Sequence, residues 1–177
     1  CLLLAFGFFG FPPMTALLDA STPEGGGFDT ELFYTPARAM EKAALFTPEG
    51  RADSVRAHWT YDLAFPLCYG FFSLAAWAYG LRLLAGDRRA PRYGFLFVPL
   101  AGAAFDLVEN AAVAVLLSSD PSGGVHRAAA VAASAGTLLK WLFVAPAFGL
   151  AVGLPVAGWI ASIARKRKAS VSSTGRR

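Results

Sequence analysis

The sequence predicts an all-α membrane protein: a bundle of four transmembrane helices, with short surface helices in the first extracytoplasmic loop. Three observations carry that expectation. Hydrophobic residues make up 55 % of the 177 positions and charged residues only 16 %, whereas a soluble domain carries about a quarter charged residues. The charges are clustered, leaving four apolar runs long enough to cross a ~30 Å hydrocarbon core, which takes about 20 helical residues. The arginines and lysines are also distributed unevenly about those runs, as membrane insertion sorts them.

The first run covers residues 1–18 and contains Pro12-Pro13, which kinks it. The second covers 59–84 and the third 93–117. The fourth falls within 128–163, with the span itself placed at 138–163. That stretch is too long for one perpendicular crossing, so it must tilt, bend at Pro146 or Pro155, or begin above the membrane. All four runs are long and non-alternating. Helices are therefore preferred, because a strand with an open edge leaves backbone groups unsatisfied in lipid. Residues 1–164 then form one membrane domain, and 165–177 a basic tail that reads as disordered from Lys168 onward.

Orientation follows from charge. The short loop between the second and third spans carries Arg88, Arg89 and Arg92, and the tail carries Arg165, Lys166, Arg167, Lys168, Arg176 and Arg177. The outer loop, 19–58, has seven acids (Asp19, Glu24, Asp29, Glu31, Glu41, Glu49, Asp53) against four bases (Arg38, Lys42, Arg51, Arg56). Both chain ends are thus expected in the cytoplasm, with the acidic loop outside. Within the loop, Thr35-Pro36 and Thr47-Pro48 each place a capping hydroxyl before a proline at the first helical position. Two short helices are expected, over 36–46 and 48–58, the first with an apolar side from Met40, Ala43, Ala44 and Leu45.

Several function classes are excluded or disfavoured. The net charge of +4 comes from a basic run beside an apolar helix, which faces anionic headgroups rather than nucleic acid. Cys1 and Cys68 fall at different depths, which argues against a disulfide framework. Cys1 opens an apolar run, pointing to a truncated or processed amino end, with lipidation as the alternative. No His, Cys or carboxylate spacing matches a zinc, haem or iron–sulfur site, and His58 and His126 read as interfacial. The sequence identifies no cofactor and no catalytic signature, and whether the protein is an enzyme stays open.

Ionisable groups inside membrane spans are costly and need a partner or a purpose. Asp106, Glu109, Asn110 and Val113 fall at i, i+3, i+4 and i+7 on one face of the third span. Asp62, Pro66, Tyr69 and Ser73 form a similar stripe on the second, and Ser134, Thr137, Lys140 and Trp141 on the fourth. Rise per residue puts these groups at comparable depth in the outer half of the bundle. Asp62, Tyr69, Asp106, Glu109, Asn110, Thr137 and Lys140 are therefore the candidates for a polar network or ligand site. Three acids meeting one lysine leave negative charge in excess.

The pattern Tyr34-Thr35-Pro36, Gly50-Arg51, Asp62, Phe65-Pro66 and Tyr69 resembles a group of uncharacterised small bacterial integral membrane proteins with four spans. Phe105-Asp106-Leu107-Val108-Glu109-Asn110 and Thr137-Leu138-Leu139-Lys140 continue the likeness. The resemblance implies a four-span fold and no reaction. Two function classes are expected. One is an accessory or structural subunit of a larger membrane complex, such as a respiratory or photosynthetic one, with other integral membrane subunits and lipid as partners. The other is a small membrane enzyme or carrier holding a lipid-like ligand in a polar pocket between helices. Small residues such as Gly102, Ala103, Gly149 and Gly153 are expected at close helix contacts in either case.

Overall fold

The structure is a computed structural model that describes residues 12, 23, 27–28, 31–85 and 93–174, with side chains as far as 168. The expected first span and the arginine-rich loop between the second and third spans lie outside the described residues. The described chain is all-helical: α1 (Pro36–Leu45), α2 (Pro48–His58), α3 (Tyr61–Ala85), a 3-10 turn (Tyr93–Leu96), α4 (Phe97–Ser118) and α5 (Gly124–Thr174). Three helical stretches are long and apolar enough to cross a membrane: Pro48–Ala85, Gly94–Ser118 and Gly124–Lys168.

The threonine–proline pairs set the first two helices. Thr35 Oγ1 accepts the Arg38 N–H at 3.2 Å, and Thr47 Oγ1 accepts the Gly50 N–H at 3.0 Å. Each hydroxyl satisfies one of the donors that a helix start leaves open, while proline at the first position has no donor to lose. Thr35→Ala and Thr47→Ala are each expected to cost about 1 kcal/mol of local helix stability. Amide exchange over α1 and α2 reads this out, and unchanged exchange would remove the capping role.

The apolar side expected for α1 is rotated. Ala39 and Ala43 face the bundle, but so does Lys42, while Ala44 and Leu45 are exposed. Lys42 turns inward because its ammonium is taken up there, donating to the Gly27 carbonyl at 2.8 Å and pairing with Glu31 at 3.0 Å. Phe28 stacks on Phe46 and meets Tyr34 edge-on, so residues 31–46, a strap across the helices, close one end of the bundle with an aromatic layer. Arg51 pins the layer by donating to the carbonyls of Ala43 (2.7 Å), Phe46 (3.4 Å) and Leu117 (3.4 Å). It thereby satisfies terminal carbonyls of α1 and α4 together.

The Lys42 ammonium, with Arg38 beside it, holds the Glu31 carboxyl below the usual carboxylate range. A lowered folded-state value means that this contact stabilises the strap at neutral pH and is lost as pH falls through that value. Acidification is therefore expected to speed amide exchange in α1, and Glu31→Gln should flatten that pH dependence. An unchanged pH profile in the variant would show that Glu31 is not the latch.

α5 carries the fourth run. It is one unbroken helix of 51 residues with Pro146 and Pro155 inside it, about 76 Å at 1.5 Å per residue. Its first turns belong to the end layer, where Ala129, Ala130 and Ala133 join Val113, Leu116, Leu117, Ala39 and Ala43 in one apolar cluster. The tail read as disordered from Lys168 instead stays helical through Thr174, there being neither glycine nor proline between Pro155 and Gly175 except Gly158.

Lower in the bundle, Tyr69, Ala103 and Val144 form a second cluster and Trp77, Ala147 and Ala151 a third. Glycines let the helices approach. A Cβ on Gly102 would lie 3.0 Å from Val144, and one on Gly136 3.1 Å from the Glu109 Cα. Gly149 and Gly153, expected at contacts, instead meet open space. The glycines that carry the α3–α5 crossing are Gly80 and Gly158.

Candidate functional site

The site lies between the end layer and the Tyr69 cluster, where stripes from α3, α4 and α5 converge. The close approach of Gly136 to the Glu109 backbone allows side chains on the two helices to meet. Lys140 Nζ lies 2.5 Å from Glu109 Oε2 and 3.4 Å from Asp106 Oδ1. The Thr137 hydroxyl donates to Glu109 Oε1 and also sits 3.0 Å from the Ala133 carbonyl. Tyr69 donates to Asp106 Oδ2 at 2.9 Å. The Trp141 ring, 5.9 Å from Lys140 Nζ, adds a face with which a cation interacts favourably.

The strap contributes the remaining contact. Tyr34 OH donates to Glu109 Oε1 at 3.3 Å across 75 residues of sequence, while Ser134 Oγ donates to the Tyr34 carbonyl at 2.5 Å. Glu109 is therefore gripped by Tyr34, Thr137 and Lys140 at once, and its exposure is 1 %. In so dry a place a carboxylate survives only with several partners, and here one comes from the strap and two from α5.

Asp62 on α3 and Asn110 on α4 meet across the two helices. Pro66 has no N–H, so the Asp62 carbonyl loses its intrahelical donor. Asn110 Nδ2 supplies the replacement at 3.0 Å. The Asp62 carboxylate lies 3.9 Å from His58 Nε2, and His58 Nδ1 is 2.7 Å from the Ser54 carbonyl. Asn110→Leu should leave that carbonyl unsatisfied and cost about 1–3 kcal/mol. Adding Pro66→Ala restores the N–H and should recover part of the loss in thermal unfolding. A penalty that Pro66→Ala leaves unchanged would break this link.

All seven residues singled out from the sequence are buried; Tyr69, Asp106, Glu109, Thr137 and Lys140 join in one network, and Asn110 contacts Asp62 separately. Reading the sequence by stripes missed Tyr34 and His58. Tyr34 comes from a loop far away in sequence; its one local signal is its place just before the Thr35 cap. His58 and His126, read as interfacial, are both buried, His126 against Ser119 Oγ at 3.2 Å. Ser134 was visible as part of a stripe, but the backbone it binds was not.

Two consequences follow from the chemistry. The network locks three helices and the strap into one register. Two carboxylates facing one ammonium also make a centre able to hold a polar headgroup or to exchange a proton. A crevice of about 170 Å³ opens between α3 and α4, lined among others by Pro66, Leu67, Gly70, Phe71, Leu100 and Ala103. The chain matches no family model, no curated protein and no solved structure.

Proposed function

We propose that this chain is an integral membrane accessory or structural subunit of a larger membrane protein complex, of the respiratory or photosynthetic kind, in a bacterial inner membrane. In this reading it has four spans and cytoplasmic termini, like the group it resembles. The observation that carries the proposal is the direction in which its groups face. The acids and the lysine of the spans turn inward and are held by one another and by the strap, as in a network that fixes helix register. Outward, the surface is apolar. In the most apolar window of α5 only 17 % of residues are buried, against 56 % in the third-span helix. Leu138, Leu142, Val152 and Val156 are exposed along it, free to meet lipid or neighbouring helices. Purification in mild detergent tests the proposal. Stoichiometric co-migrating membrane polypeptides are expected, and a chain that runs alone after gentle extraction would argue against it.

The second reading, a membrane enzyme or carrier for a lipid-like molecule, is favoured by the apolar crevice between α3 and α4. Its mark would be a bound lipid-like molecule that disappears on Leu67→Trp, a substitution that fills the crevice from its exposed side.

A further inference from the structure

We infer that the end of the bundle remote from the strap, where the last turns of α3 lie against α5, is a binding surface for anionic phospholipid headgroups. Its groups are Arg82, Arg165, Lys166, Arg167 and Lys168, all exposed. The inference uses only the membrane reading and needs no partner subunit.

The surface is preformed. Arg165 donates to the carbonyls of Leu83 and Leu84, the latter at 3.3 Å, satisfying the open end of α3. Just before it, Gly158 brings the helices together so closely that a Cβ there would lie 2.6 Å from Leu83 Cβ and 2.8 Å from the Gly80 carbonyl. Lys166, Arg167 and Lys168 follow on the same unbroken helix, so their charges project from a fixed base.

The charge there is unbalanced. Arg82, Lys166, Arg167 and Lys168 form no ion pair with any described residue, and Arg165 is engaged with carbonyls rather than with an acid. No acid occurs from Pro121 to Arg177, and between residues 63 and 105 Asp87 alone stands against Arg82, Arg88, Arg89 and Arg92. Such a field calls for an anion supplied from outside the chain.

The rim identifies which anion. Tyr79 and Trp159 are 58 % and 63 % exposed. They precede Arg82 and Arg165 by three and six residues, about 4.5 and 9 Å of helix. Exposed aromatic rings at that distance from a basic turn mark the boundary between headgroups and acyl chains. Beside Trp159, the exposed Ile160 and Val156 offer apolar surface to the chains of the same lipid. A phospholipid satisfies both halves of this surface; a free phosphate satisfies one.

The test uses the full chain reconstituted in nanodiscs of phosphatidylglycerol and phosphatidylcholine, with retained lipid counted by native mass spectrometry. Entry into the discs checks the membrane reading separately. Phosphatidylglycerol should be retained in preference. Each charge removed by Arg82→Gln, Lys166→Gln, Arg167→Gln or Lys168→Gln should weaken that preference about fivefold. The combined Lys166→Gln, Arg167→Gln and Lys168→Gln variant changes only exposed side chains, so it should fold and lose the preference. Equal retention of the two lipids by the unmodified chain would overturn the inference, as would an unchanged preference in the triple variant. Displacement of phosphatidylglycerol by millimolar inorganic phosphate would also overturn it, assigning the surface to a soluble anion.

Discussion

Lys140→Met is expected to destabilise the folded bundle by about 3–5 kcal/mol, the usual penalty when one partner of a buried ion pair is removed and the other charge is stranded. Methionine nearly matches the lysine stem in shape, so little of the loss comes from packing. What remains is Asp106 and Glu109 facing each other's field without the ammonium that lies 3.4 and 2.5 Å from them. Glu109→Gln removes the opposite partner, and the tyrosine and threonine donors at Oε1 soften its cost only in part. The double variant should be less harmful than the sum of the singles, because an apolar or neutral replacement of both partners also removes the desolvation cost. Thermal unfolding in detergent measures all four proteins. Strict additivity would mean that the two groups do not share one interaction.

Gly80→Ala is the second large effect. A Cβ at this position would lie 2.5 Å from the Leu154 carbonyl carbon and 2.6 Å from the Pro155 nitrogen. These are backbone atoms, so no rotamer change relieves the overlap and the helices must separate. A loss of about 1–3 kcal/mol is expected for forcing one methyl into a packed contact. Separation also stretches the Trp77 Nε1–Ala147 carbonyl bond of 2.9 Å, so Trp77 fluorescence should shift. Gly149→Ala is the matched control. Nothing lies within 4 Å of its Cβ, and alanine is favoured over glycine in a helix by up to about 1 kcal/mol. A control that loses as much as Gly80→Ala would show that the crossing has been misplaced.

The contrast between these glycines shows what the sequence discloses. Gly149 and Gly153 have the spacing of a helix contact, yet they face outward. Gly80 and Gly158 are 78 residues apart, and only the crossing of α3 with α5 makes them partners. The three described spans were legible because charge is so costly in lipid that the apolar runs stand out. The acid–lysine region was legible for the same reason combined with helical period: Asp106, Glu109 and Asn110 share a face, as do Thr137 and Lys140. Tyr34 was hidden because its contact with Glu109 depends on how the strap folds back, which no local pattern encodes. The Asn110 bond to the Asp62 carbonyl was half-visible, since Pro66 announces a carbonyl without a donor but does not say which residue answers. The length of α5 was only partly legible: Pro146 and Pro155 read as points where the run could bend, and both lie inside one helix.

The proposed subunit role requires that the outward apolar face of α5 belong to an assembly. Site-specific photocrosslinking tests this most directly. A photoreactive residue placed at Val152, 65 % exposed, reports in native membranes what lies against that face. The expected product is a discrete crosslink to another membrane polypeptide, absent when the same probe is placed at the buried Ala147. Crosslinks to lipid alone, from Val152 and from Leu142 alike, would contradict the subunit reading.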